Sequence, residues 1–454
     1  MNSVIKIVLA VSCVAFLVAP AEGGAAAGLA VMSLCCYGLR QSIRPMDIIE
    51  AALNGNTRSL LQAIQRGGDV NLRNENGLTP LHAASIQGHM PTIQNLILAS
   101  AAINKADNNG NSALLYSAIH GRRSAVKYLI DHGADIDSQN HDGDSALIAA
   151  SRLGYQQVIL DLEGAGADST IENNKGQCAL ITAAASGHVH VVQHLIEVLR
   201  HQVSSLLSAS LQVGGFSMVK SFTEGVVFNK LNTAFLSAAS GNHTDVVNFL
   251  IQQGVDINAE DQRGNSALLF ACAKGNVDML NALIGAGADV NHSNLIGDTS
   301  MIRAISGRNK QCVSQLIKAG APIDAANHRG NTPTIVAAFK GELGLIKLLH
   351  VHGANMSIFN KRAYSPLHMA AYASNPAVVN YLLSVGADVN VRSFANETAL
   401  MVAVENNCLP IVHKLLECDA DPAVLNAKGR TAFDMAAGDA VLESALNAKV
   451  SCSL

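Results

Sequence analysis

The sequence predicts an all-α solenoid of about twelve 33-residue units, each a helix pair, with one 22-residue insertion. Three observations carry that prediction. A four-residue signature first met as Thr79-Pro80-Leu81-His82 returns in altered form at steps of 33 residues. Each step holds two short segments of helical apolar periodicity closed by Gly. Each step also holds a polar stretch with a residue suited to a tight turn at its tip. One such unit cannot bury its apolar stripe alone, so neighbours must stack on it.

Residues 1–45 precede the first unit and are read first. Residues 7–19 form an apolar run after Lys6, and residues 23–39 form a second that ends at Arg40 and Arg44. Between them Ala19-Pro20-Ala21 fits a small-x-small cleavage site. Uncut, both runs cross a bilayer with Lys6 and the two arginines on the inner side. Cut, the second run is a stop-transfer anchor. Either way residues 4–39 tether the chain to a membrane with the repeats facing the cytosol. A third reading, in which the second run does not stay in lipid, exports the chain.

The first block, residues 46–200, holds five units. One begins at Met46 without the tetrapeptide, and the signature then stands at 79, 112, 145 and 178. In residues 112–137, "SALLYSAIHGRRSAVKYLIDHGADID", one helix opens at Ser112 and stops near Gly121. A second carries Val126, Leu129 and Ile130 on one stripe and ends at Gly133. A polar turn with Gly143 at its tip leads to the next unit. Small residues such as Ala118, Ala149, Ala150, Ala183 and Ala184 stand where neighbouring first helices must approach closely.

From Cys178 to Thr233 the step is 55 residues, one unit plus 22. Val203, Leu206, Leu207 and Leu211 prolong a helical stripe, Gly214-Gly215 interrupts it, and a further helix fits the residues up to Phe228. The insertion, residues 201–228, reads either as a tolerated surface addition or as a partner-binding element between two blocks. The second block, residues 229–454, holds seven units with signatures at 233, 266, 299, 332, 365, 398 and 431, and a C-terminal cap. Ala363 and Asn396 replace Gly at two turn tips, and altered turn geometry is expected there.

These residues resemble the ankyrin repeat, most closely in "GLTPLHAASIQGH" (77–89), "YSPLHMAA" (364–371) and "LLSVGADVN" (382–390). The resemblance covers nearly all of the chain after residue 45. It implies a curved stack of helix pairs with turn fingers along one edge, and protein binding as its work.

Composition narrows the function classes. Net charge is −4 and charged residues make up 15%, with no Trp, so no basic face for nucleic acid is indicated. Nine cysteines are scattered without paired spacing, a pattern suited to reduced thiols. No nucleophile elbow, zinc-protease helix, phosphate loop or dinucleotide fingerprint is present. An enzyme is not expected, nor a cofactor or a small-molecule substrate. The recurring signature His is explained by hydrogen bonds at a helix start. His190, His194, Glu197 and His201 share one face of an unbroken helix and form a weak zinc candidate. Four ligands strung along 11 residues cannot all reach one ion, and the equivalent positions of other units face solvent. A solvated His stripe is the stronger reading.

The resemblance places partner contacts on the finger tips and on the positions just after each first helix's Ala pair. In early units the finger residues are polar or acidic, such as Glu75, Asn108, His141, Asp142 and Asp144. In later units these positions become His328, Arg329, Phe339, Lys340, Lys361, Arg362, Tyr364 and Tyr372, cations interleaved with aromatics. An acidic or phosphorylated protein segment is the expected ligand. The leading expectation is a membrane-tethered interaction scaffold. The alternative is a secreted, host-directed effector of an intracellular bacterium.

Overall fold

The computed structural model describes residues 48–211 and 216–452. The proposed membrane segment, residues 4–39, lies outside them. Among the described residues no helix is long and apolar enough to cross a membrane. Two compact bodies divide the chain, Met1–Ala113 and Leu114–Leu454.

The N-terminal body contains two helix pairs, α1 (Ile48–Leu53) with α2 (Thr57–Gln65) and α3 (Pro80–Gln87) with α4 (Met90–Leu98). Helix α3 begins where Thr79 turns extended backbone into helix. The Thr79 side chain accepts from the His82 amide, and the His82 ring accepts from the Thr79 amide at 3.0 Å. Two amides left over at a helix start are thereby satisfied.

The C-terminal body begins at Leu114 within helix Ala113–Ile119, and its last helix is Ala440–Cys452. The first residue of six signatures, Ser145, Thr299, Thr332, Ser365, Thr398 and Thr431, caps its helix through its hydroxyl. First helices stack on first helices and second helices on second helices, each touching its neighbours in sequence. Their Ala pairs, such as Ala149 and Ala150 or Ala183 and Ala184, are buried, which lets the backbones approach. Larger residues such as Leu147, Ile148 and Ile159 fill the space between layers.

A recurring joint ties several units of the C-terminal body to the one before. After the first helix the chain continues with His or Asn, whose side chain reaches a backbone carbonyl of the preceding unit. His188 Nε2 bonds the Arg152 carbonyl at 3.0 Å, and Asn309 Nδ2 donates to the Gly275 carbonyl at 3.0 Å.

Across the insertion the same joint is made. Helix Val189–Leu211 is one continuous element, and Phe216–Gly241 merges the end of the insertion with the first helix of the next unit. That merged helix buries Phe235, Ala238 and Ala239 against Ala179–Ala185. His243 Nε2 bonds the Ala185 carbonyl at 2.9 Å. Gly187 lies beneath that ring, where a Cβ would stand 2.4 Å from His243 Nδ1. The stack of first helices is therefore unbroken at the insertion.

The expected distortion at Ala363 and Asn396 is not found. Their φ values, 57° and 52°, lie in the left-handed region, as does that of Gly330 at 76°. The turn is imposed by its own hydrogen bonds. At the first of these tips the Asn360 side chain accepts from the amides of Arg362 and Tyr364 at 2.9 and 3.0 Å. Ala363 bears the strain instead of bending the turn away from it, whereas Asn is a residue type that tolerates this region.

Candidate protein-binding groove

In the C-terminal body, consecutive fingers are joined by backbone hydrogen bonds. His328 donates to Ile296, Lys361 to Arg329 and Phe394 to Arg362, at 3.1, 3.0 and 3.1 Å. This contact fixes His328 and Arg329 beside Lys361 and Arg362 and leaves all four side chains exposed.

Below the tips runs a ladder of amide side chains. Asn327 Nδ2 donates to Asp298 Oδ1 and Asn360 Nδ2 to Asn331 Oδ1, each at 2.9 Å. The ladder stops at the next step, where Tyr364 stands in place of the acceptor and Ser393 in place of the donor. The Tyr364 hydroxyl donates instead to Glu397 Oε2 at 2.8 Å. Burial and this carboxylate both push the phenol's pKa up, so it stays a protonated donor.

On the helix side, Phe339 stands in the last turn of one first helix and Tyr372 ends the next. Their rings stack with centroids 6.0 Å apart and planes at 27°. Phe339 is 42% exposed and Tyr372 59%, large apolar surface left without cover in this chain. Together these rows enclose a groove of about 840 Å³.

Of the residues marked by sequence, His328, Arg329, Phe339, Lys361, Arg362, Tyr364 and Tyr372 line this one groove. Lys340 is exposed at the end of its helix and lies outside the lining. Sequence reasoning missed the carboxylates Glu397 and Glu405 and the amides Asn331 and Asn360, all in the lining. A step of 33 from Tyr364 reaches Glu397, and the same step from Tyr372 reaches Glu405, so the repeat register alone would have found both.

His368 also borders the groove, and it is structural. Its Nδ1 accepts from the Ser365 amide at 3.2 Å, which leaves Nε2 to donate to the Glu397 carbonyl at 2.9 Å. Burial lowers its pKa despite that carbonyl, so the neutral ring with hydrogen on Nε2 is the resident form.

Charge is handled differently elsewhere. Asp144 is held by Arg152 through two bonds of 2.7 and 2.8 Å and by Asn173 at 2.9 Å. Burial works to raise its pKa, but these donors outweigh it and hold the carboxyl below its ordinary range. Among the described residues Arg329, Lys361, Arg362 and Glu405 form no ion pair. The groove is thus lined by charges still free to meet a ligand.

An ankyrin-repeat family model, described as "Ankyrin repeats (3 copies)", matches residues 48–140, 206–294, 300–393, 335–426 and 368–444, together well over half of the chain. The chain belongs to the ankyrin-repeat family. Among solved structures, this ankyrin-repeat protein is similar to the human ASB11 ankyrin repeat domain at 27% identity. The match covers 47% of this chain and 96% of that one, with a TM-score of 0.44. No curated protein matches it.

The weak metal candidate does not assemble in this ankyrin-repeat chain. His190, Glu197 and His201 are exposed on helix Val189–Leu211. His194 departs from the solvated stripe expected of it, because its Nε2 is paired with the Glu163 carboxylate of the preceding unit. Among the described residues no three of His, Cys, Asp or Glu gather as metal ligands.

Proposed function

We propose that this ankyrin-repeat protein is a non-enzymatic interaction scaffold that docks an acidic segment of a partner protein in the groove between residues 328 and 405. The supporting observation is the unpaired cationic trio Arg329, Lys361 and Arg362 beside an exposed aromatic pair. Aromatic area supplies affinity when water leaves it. The cations supply orientation and a faster encounter with acidic partners. Residues 4–39 tether the scaffold to a membrane, a reading supported by the two apolar runs and the placement of Lys6, Arg40 and Arg44.

Lys361→Glu with Arg362→Glu in the full chain tests the docking reading. Both side chains are exposed, so helical content and melting temperature should be unchanged. Partner recovery by crosslinking in the source cells should fall at least about tenfold, or 1.4 kcal/mol. Undiminished recovery would reject the groove as the docking surface.

A further inference from the structure

The groove carries charge of both signs, and the two signs are sorted. Arg329, Lys361 and Arg362 sit on consecutive finger tips, tied together by the Lys361 amide to Arg329 carbonyl bond of 3.0 Å. Glu405 occupies the position of Phe339 and Tyr372 one unit further along, so the helix side reads aromatic, aromatic, carboxylate at steps of 33 residues. Glu397 is engaged by Tyr364 and braces the floor between the two walls. Glu405 is exposed and, among the described residues, meets no cation within ion-pair distance. Opposite charges that share a groove without pairing leave their complements to be supplied by a ligand.

Resting on the docking reading above, we infer that the groove reads a mixed-charge linear segment of a partner protein. A carboxylate side chain of that segment lies against Arg329, Lys361 and Arg362. An apolar or aromatic side chain covers Phe339 and Tyr372, and a basic side chain faces Glu405. The anion is a carboxylate in preference to a phosphate on grounds of charge. Three cations face two carboxylates in this lining, so a phosphate dianion carries more negative charge than the groove has to neutralise, close to Glu397. A segment with one acidic and one basic side chain matches both walls. Because the two walls occupy different units, the order of acidic and basic residues in the segment is read as well as their presence.

A random peptide display library selected on the full chain in detergent tests this. Wild-type protein should enrich peptides with Asp or Glu, then an apolar or aromatic residue, then Lys or Arg at a constant offset. Glu405→Lys should remove the basic preference by about tenfold or more and leave the acidic one. Lys361→Glu with Arg362→Glu should do the reverse. Glu405 is exposed at the end of its helix, and unchanged melting of the variant confirms its fold. A basic preference that is absent, or indifferent to Glu405→Lys, overturns the inference while the acidic preference still upholds the docking reading. No selection by wild-type chain, or selection indifferent to both variants, overturns both. A selected peptide that binds more tightly with phosphoserine in place of its acidic residue overturns the carboxylate assignment.

Discussion

Ala363 shows how a single residue can be wrong for its turn without changing it. An L residue in the left-handed region costs about 1–2 kcal/mol, and Ala363 holds φ 57° because Asn360 clamps the amides on either side of it. Glycine there would remove the strain but make the unfolded chain more mobile, a loss of about 0.4–1 kcal/mol. Ala363→Gly should therefore raise unfolding stability by about 0.8 kcal/mol, the difference between the midpoints of those two ranges, read as a higher urea midpoint with unchanged slope. A lower midpoint would mean the Cβ is packed to advantage. Sequence predicted a distorted turn at Ala363 because tip identity is visible in the chain, whereas the clamp that dictates the backbone is visible only as an Asn three residues earlier. The groove was more legible. Its cations and aromatics recur in register, but Glu397 and Glu405 hide in it because at the next step of 33 from Tyr364 and Tyr372 the residue type changes from aromatic to acidic.

At the scale of the helix pair, buried signature histidines connect fold to pH. His82 in Pro80–Gln87 and His368 in Pro366–Tyr372 each accept a backbone amide at Nδ1 and meet a carbonyl, of Lys105 or Glu397, at Nε2. Burial lowers both pKa values, more than those carbonyls raise them. The sign follows from linkage: below the ordinary histidine value the unfolded chain takes up protons that the folded rings refuse. Their stabilisation is thus complete above about pH 6.5 and is lost as pH falls toward the folded values. Urea midpoints should decline from about pH 6.5 to 5, above the range where ordinary carboxylates titrate. His368→Asn should lower stability by about 1 kcal/mol at neutral pH, the typical value of a lost helix cap, and should flatten that decline. An equally steep decline in the variant would assign it to other groups. The helix starts were legible from the tetrapeptide, but the joint made by His188, Asn309 and His243 was not. Its partners, the carbonyls of Arg152, Gly275 and Ala185, belong to other units, and only packing brings them together.

For the whole molecule the proposed tether makes a prediction about which thiols a reagent can reach, and the thiols bear on it unequally. Cys178, Cys272 and Cys312 are free and buried. Burial pushes the Cys312 thiol up to about 11 and raises Cys272 further, with its neighbour Cys312 adding to the rise. Thiolate is the reactive form, so these two stay inert in any compartment while the array is folded. Their freedom from disulfides is therefore weaker evidence against export than the bare cysteine pattern suggests. Cys408 and Cys418 are partly exposed and report their surroundings. If residues 4–39 tether the chain with the repeats on the cytosolic side, a membrane-impermeant thiol reagent should label Cys408 and Cys418 only after the source cells are permeabilised. Cys272 and Cys312 should need denaturant as well. External protease should likewise spare residues 46–454 until permeabilisation, and N-terminal sequencing of the protected chain will show whether it begins after Ala21. Labelling of Cys408 in intact cells would place the array outside and reject the tethered orientation. Protected repeats with an intact N-terminus would favour two crossings over a cleaved signal and one anchor.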